Sequence, residues 1–272
     1  MIRDLTIGQY FPSNSLLHKT DPRVKLILLM ASLILIFCTF NYVSISIMIV
    51  FVLMAIVVSG VPLKLYIKSL KTIILIMIFT SLLNIFNDEG NVLFEFGFIS
   101  ITDVGVNNTI FISIRITCLL LLSAIFTFTT LPTDLTDSVE KLLSPLKIFR
   151  INVSDIAMMM TIAIRFIPTL LEETEKIINS QKSRGADFDS KNIFQKVRSL
   201  TSIVVPLLAM SFKRAYELAI AMESRCYQGG NTRTRMKVLK VKTLDILIIC
   251  TFIMFMLGVI YCNILFPRTR IV

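Results

Sequence analysis

Residues 24–60 read VKLILLMASLILIFCTFNYVSISIMIVFVLMAIVVSG, a 37-residue run in which Lys25 carries the only charge. A helix needs about 20 apolar residues to cross the hydrocarbon of a bilayer, so the run is too long for one span and suits two tight ones that turn near Asn41-Tyr42. It reads as a hairpin of spans over 24–40 and 43–60, which makes the chain an integral membrane protein. The composition agrees, with 55% hydrophobic residues among 272 and a mean hydropathy of +0.78. A net charge of +10 would suggest nucleic acid in a soluble chain. In a membrane protein it first reports orientation, because Lys and Arg accumulate on the cytoplasmic side, and no nucleic-acid partner is expected.

Upstream, residues 1–23 are polar and turn-rich, with Gly8, Pro12, Ser13, Asn14 and Pro22. They lack the short apolar core of a signal peptide and read as a cytoplasmic N-terminal segment. Asp21 and Pro22 make a helix N-cap and first-turn pair ahead of the first span. His18, the only histidine, reads as a juxtamembrane hydrogen-bonding residue rather than a ligand or base. Downstream, Pro62, Lys64, Lys68 and Lys71 mark a return to the side of Arg23 and Lys25, and a third span follows over 70–86. Residues 87–108 hold Asp88, Glu89, Glu95 and Asp103 but no Lys or Arg, so they form the outer loop, and 92–102 alternates like a strand. A fourth span over 109–130 completes a membrane domain, 24–130. It carries Arg115, whose expected role is structural pairing toward the outer side rather than transport chemistry.

From 131 to 242 the character changes. This stretch holds 18 of the 28 Lys and Arg residues, which assigns it to the cytoplasm, yet it keeps apolar faces. Three helices are expected, over 133–147, 152–184 and 192–227. The last two are long arms, each with one internal proline, Pro168 or Pro206, expected to act as a hinge. Their apolar positions recur at helical spacing on one side only; in the first arm Glu172, Glu173 and Glu175 fill the polar side. Ser211, Ala215 and Ala219 form a small-residue stripe at four-residue spacing, which lets helices approach closely, so the arms are expected to cross. Each arm closes on a similar triplet, Ser183-Arg184-Gly185 and Ser224-Arg225-Cys226, the arginines lying 41 residues apart. The expected stops are Gly185 and Gly229-Gly230. An arginine at a helix C-terminus meets unpaired carbonyls that favour a cation. Residues 229–242 form a basic loop suited to anionic headgroups, and 243–272 supplies a last span, over 243–266, and the C-terminus. The fold class is therefore an all-α integral membrane protein with about five spans plus three cytoplasmic helices, two of them long, bent and crossed.

Several chemistries have no signature here. The nine glycines include no GxxxxGK[ST] loop, and there is no HExxH, GxSxG, or Cys and His pairing. The five cysteines form no CxxC. Neither an enzyme nor a proton relay is indicated, and no cofactor or metal is expected on this chain. Two readings from the residues stand beside one another: a permease with its own substrate site, and a membrane anchor for a cytoplasmic complex without transport.

Gly8-Gln9-Tyr10, Pro12, Ser15, the run from His18 to Lys25 (HKTDPRVK), Arg165-Phe166-Ile167-Pro168 and the two arginine triplets, taken in order, resemble the transmembrane T component of energy-coupling-factor (ECF) transporters over nearly the whole chain. That resemblance implies a scaffold in a prokaryotic cell membrane whose cytoplasmic coupling helices join two ATP-binding-cassette ATPases to a small membrane S component that captures a vitamin or metal ion. ATP and Mg would be bound by the ATPases, not by this chain. Ser183, Arg184, Gly185, Ser224, Arg225 and Cys226 would form the ATPase interface. The family's triplets usually read Ala-Arg-Gly; here the arginines are kept and the flanks vary.

Overall fold

The computed structural model describes residues 10–87, 92–96, 99–149, 152–186, 188, 192–229 and 242–265. Gly8-Gln9, the loop acids Asp88 and Glu89, most of the basic loop (230–241), and Arg268 and Arg270 lie outside the described residues. The chain forms two compact units, 8–131 with 239–272, and 132–238 with 1–7.

The first unit is built from a short helix α1 (Leu16–Lys19), α2 (Pro22–Phe37), α3 (Tyr42–Ser59), α4 (Leu63–Asn87), the strands β1 (Val92–Phe96) and β2 (Ile99–Thr102), α5 (Asp103–Thr129), and the last helix, Thr243–Leu265. Many of its exposed side chains are apolar: Ile34 and Phe37 on α2, Val57 on α3, Leu75 and Phe79 on α4, Met254 and Ile264 on the last helix. Its interior admits polar residues such as Ser32, Ser44 and Ser59, whose hydroxyls bond to Leu29 O, Asn263 Oδ1 and Ile56 O. An apolar outer surface, with the buried polar groups hydrogen-bonded inside, is what lipid solvation demands.

Helix limits follow caps rather than hydropathy. Helix α4 starts at Leu63, not near 70, because Pro62 sits at its threshold and neither proline nor glycine interrupts the Lys64–Lys71 stretch. It bends by 52° between Leu63–Lys71 and Ile73–Ile85. Helix α5 starts at Asp103, not near 109, since Thr102 Oγ1 accepts the Gly105 N–H at 3.1 Å. A Cβ on Gly105 would lie 3.0 Å from Ile85 O, so glycine permits α4 and α5 to lie close. The alternating stretch 92–102 is a two-strand antiparallel hairpin, Phe94 facing Ile101 and Glu95 facing Ser100, rather than one strand. Arg115 donates to Thr39 O at 2.6 Å and lies 4.9 Å over the Phe111 ring, which ties α5 to the α2–α3 turn.

At the other end of these helices the HKTDPRVK run does structural work. His18 bonds Ser15 Oγ at 2.6 Å and Phe11 O at 2.8 Å. Asp21 Oδ1 caps α2 by accepting the Arg23 N–H at 2.9 Å. The Lys25 ammonium is buried and donates to Thr129 O at 2.8 Å. Asp245, fully buried, accepts the Asp21 N–H at 2.8 Å and the Lys242 N–H at 2.6 Å. One carboxylate thus holds the first turns of two helices that lie far apart in sequence.

The second unit holds α6 (Pro132–Leu142), a 3-10 turn (Ser144–Phe149), α7 (Val153–Ser183) and α8 (Ile193–Glu223), which makes the last membrane helix α9. Helix α6 stops short of 147 because Pro145 removes an N–H and disfavours helix at Ser144. By length and composition five helices could cross a membrane, α3, α5, α7, α8 and α9, with the bent α4 a sixth. Helices α7 and α8 differ from the others in distribution: their several charges gather on one side, whereas α3 has no charged residue, α5 only Asp103 and Arg115, and α9 only Asp245. The 16 residues of α2 give about 24 Å of helix, enough for most of the hydrocarbon thickness.

Replacing Asp245 with leucine leaves the Asp21 and Lys242 N–H groups without an acceptor, and the expected loss is about 2–5 kcal/mol. Thermal unfolding in detergent should show Asp245→Leu falling well below wild type and Asp245→Asn, which keeps one acceptor oxygen, falling between them.

Candidate functional site

The ends of α7 and α8 are built alike, down to individual hydrogen bonds. In α7 the Ala186 N–H reaches Gln181 O at 3.0 Å and the Gly185 N–H reaches Lys182 O at 3.0 Å, with Gly185 at φ +85°. In α8 the Tyr227 N–H reaches Met222 O at 3.1 Å and the Cys226 N–H reaches Glu223 O at 2.9 Å, with Cys226 at φ +57°. Both are Schellman closures, in which a left-handed residue lets the chain turn back and satisfy the last carbonyls. Arg184 and Arg225 occupy the same place, one residue before the left-handed position. All six triplet residues are exposed, and no described residue forms an ion pair with either arginine.

The second stop differs from expectation. Helix α8 ends at Glu223 and turns at Cys226, upstream of Gly229-Gly230. Cys226 is the only non-glycine with positive φ among the described residues, a conformation that costs an L-residue roughly 1–2 kcal/mol. No composition signal marks it, since cysteine is not a turn former. The matching position of Gly185 in the first triplet is the one available hint.

The arms meet through an ion pair between Glu173 of α7 and Arg214 of α8. Glu173, expected on the polar side, is buried, and Arg214 is its partner across the crossing. The two are 41 residues apart, the same offset as Arg184 and Arg225, so each stands eleven residues before its own arginine tip. At 1.5 Å per residue both tips lie about 17 Å along their helices from this contact, so the two arms have equal reach. The expected crossing stripe does not lie at this contact: Ala215 and Ala219 are exposed, and Ser211 is half-buried with its hydroxyl on Leu207 O at 2.7 Å. Both helices continue through Pro168 and Pro206, each of which leaves the carbonyl four residues earlier without its helical N–H.

Two outcomes test this geometry. Because a Cβ on Gly185 would meet nothing within 4 Å, Gly185→Ala should cost only backbone strain of about 1 kcal/mol, read as roughly fivefold faster hydrogen exchange at Ala186, whereas Cys226→Ala should leave exchange at Tyr227 unchanged. At the crossing, Arg214→Ala strands a buried carboxylate and should lower stability by roughly 3 kcal/mol, most of which Glu173→Met with Arg214→Met should restore; thermal unfolding of purified protein distinguishes them.

Residues 13–238 match a protein-family model described as CbiQ, cobalt transport protein. An energy-coupling factor transporter transmembrane protein EcfT of Ruminiclostridium cellulolyticum is 47% identical over 266 residues, 98% of this chain and the whole of that protein. The EcfT proteins of Thermosediminibacter oceani and Bacillus subtilis are 42% and 41% identical over 90% and 88% of this chain, and over 92% and 91% of their own lengths. With greasy-surfaced helices in one unit, a matched pair of amphipathic arms in the other, and likeness of this extent along the sequence, the chain belongs to the CbiQ/EcfT family of multi-pass transmembrane components of energy-coupling-factor transporters.

Proposed function

We propose that this T component grips two ABC ATPase subunits through the Arg184 and Arg225 tips and carries their ATP-driven motion to a substrate-binding S component, for uptake of a vitamin or another micronutrient. The observation that carries this reading is the equality of the two tips: the same closure, the same exposed arginine, and the same distance from the crossing. A pair of similar ATPases related by a twofold axis needs a partner that offers the same feature twice. Arginine suits the contact because its planar fork pairs bidentately with a carboxylate and bonds carbonyls, which a lysine cannot copy. ATP and Mg belong to the ATPases. The excess of Lys and Arg on 131–242 supports a cytoplasmic position for the arms and the N-terminal segment, in a prokaryotic cell membrane.

The permease alternative would require a substrate site in the membrane unit. The cavity there, about 320 Å³, is lined chiefly by leucine, isoleucine, phenylalanine and methionine, and the Lys25 ammonium at its wall is engaged by Thr129 O. Such a lining offers little to a polar micronutrient.

Arg184→Ala combined with Arg225→Ala is expected to leave expression and membrane insertion intact. Each lost interface arginine should cost roughly 2–4 kcal/mol of association, so the ATPases should no longer co-purify and ATP-driven uptake by the reconstituted complex should fall to background. Full uptake by the double variant would refute the grip, and a stoichiometric small ligand on the isolated chain would favour the permease.

A further inference from the structure

The membrane unit holds a cavity of about 320 Å³ that the arms and their arginine tips do not use. Five helices supply its wall, with Leu17 of α1, Leu29 of α2, Ala55 of α3, Phe126 of α5 and Phe252 of α9 among the contributors. Along α2 the lining runs from Lys25 to Ser32, and along α5 from Leu122 to Thr129, in each case about 10 Å of depth at 1.5 Å per residue. Lys25 donates to Thr129 O at 2.8 Å, so both helices bring the same end of the cavity to the Asp21–Asp245 contact at the start of α2 and α9. Leu16, Met54 and Leu247 are the exposed lining residues and mark where the cavity opens.

The lining has little to offer water. The hydroxyls of Ser32 and Thr251 donate to Leu29 O and Ile248 O on their own helices, each at 2.8 Å, and Thr129 Oγ1 donates to Phe126 O at 3.4 Å. Water needs two or more polar partners, and a cavity without them excludes it. A void is costly too, because lining atoms lose contacts as its volume grows. The opening lies on a unit whose outer surface carries Leu53, Val57 and Met254, so hydrocarbon chains are the matter at hand to fill it. Charge selects the headgroup. Lys25 is the one charged residue among the described lining, and it stands one turn inside the polar start of α2, the depth at which a cation reaches a phosphate layer. Asp21 and Asp245 do not line the cavity; Asp21 Oδ1 faces Arg23 at 4.0 Å, and both Asp245 oxygens accept main-chain N–H groups.

We infer that this cavity takes one acyl chain of an anionic phospholipid, the chain packed between α2, α3, α5 and α9 and the phosphate held at the Lys25 end. The lipid is then a structural ligand that fills the space beside the contact joining α2 to α9. This goes beyond the proposed grip on the ATPases and does not depend on it.

The chain contains no tryptophan, so Phe126→Trp puts a single reporter in the cavity wall of the full-length protein. Titrated in detergent with phosphatidylglycerol carrying brominated chains, its emission should fall at least twofold and level off at one lipid per chain. Ala55→Phe and Thr251→Leu fill the cavity from different helices. Each should remove the saturable quenching while the protein unfolds at or above the wild-type temperature. Brominated phosphatidylcholine should need at least fivefold more lipid for the same quenching. Quenching that rises without saturation, as mixing into the micelle alone would give, would overturn the inference. A one-to-one response that survives in both filled variants would do the same, and an equal response to phosphatidylcholine would remove the phosphate from Lys25.

Discussion

The membrane unit depends on one buried carboxylate. Asp245 accepts main-chain N–H groups from Asp21 and Lys242, so the first turns of α2 and α9, 224 residues apart, close on the same group. Asp21 and Asp245 are buried, and a helix-terminal N–H left bare in such a place is costly. Using one acidic side chain for two termini meets both demands and also fixes the starts of α2 and α9 against each other. Lys25, one turn along from Asp21, extends the arrangement to the end of α5 through Thr129 O. The HKTDPRVK run is accordingly a clasp: each of His18, Asp21 and Lys25 satisfies main chain or a cap.

The clasp explains why the apolar helices are legible in the sequence while their limits are not. Hydropathy reports which residues tolerate lipid, and for 24–60 that is enough to give the hairpin. A helix, however, runs from cap to cap, and Pro62 and Thr102 set starts several residues upstream of where apolar character becomes dense. Lys64, Lys68 and Lys71 look like a loop by charge, yet nothing in them breaks a helix. Likewise Pro145 shortens α6 although the amphipathic pattern continues past it.

The arm site divides in a similar way. Two arginine triplets at a fixed offset are visible in the letters, because a repeat needs no knowledge of packing. The Glu173–Arg214 contact is not, since Glu173 sits among acidic neighbours in the sequence, and only the facing helix decides which of them is buried. The stripe Ser211, Ala215 and Ala219 shows the converse. Small residues at four-residue spacing mark a face that can be approached closely, but the pattern does not name the neighbour, and α7 does not use it. The stop at Cys226 is not legible because Gly229-Gly230 is the stronger stop by composition, while the closure is governed by which residue follows the arginine.

Positions along the two arms suggest why their resemblance is partial. Beyond the crossing each arm runs eleven residues to its arginine without a proline or glycine, so the tips are stiff and of equal reach. Behind the crossing the arms differ: Pro168 precedes Glu173 by five residues and Pro206 precedes Arg214 by eight. The likeness is thus confined to the tips, which fits the proposed twofold pair of motors, and the prolines lie where the arms are not alike. Stiff segments ahead of the crossing would pass displacement to it with little loss, and compliance would be confined to the proline side. Under that arrangement the Glu173–Arg214 pair would serve as the pivot. A buried ion pair suits a pivot because its strength lies in a defined geometry rather than in net stability: a hydrophobic replacement could hold the arms together equally well, but it would let the crossing slide along either helix and so spoil the equal reach of the two arginines.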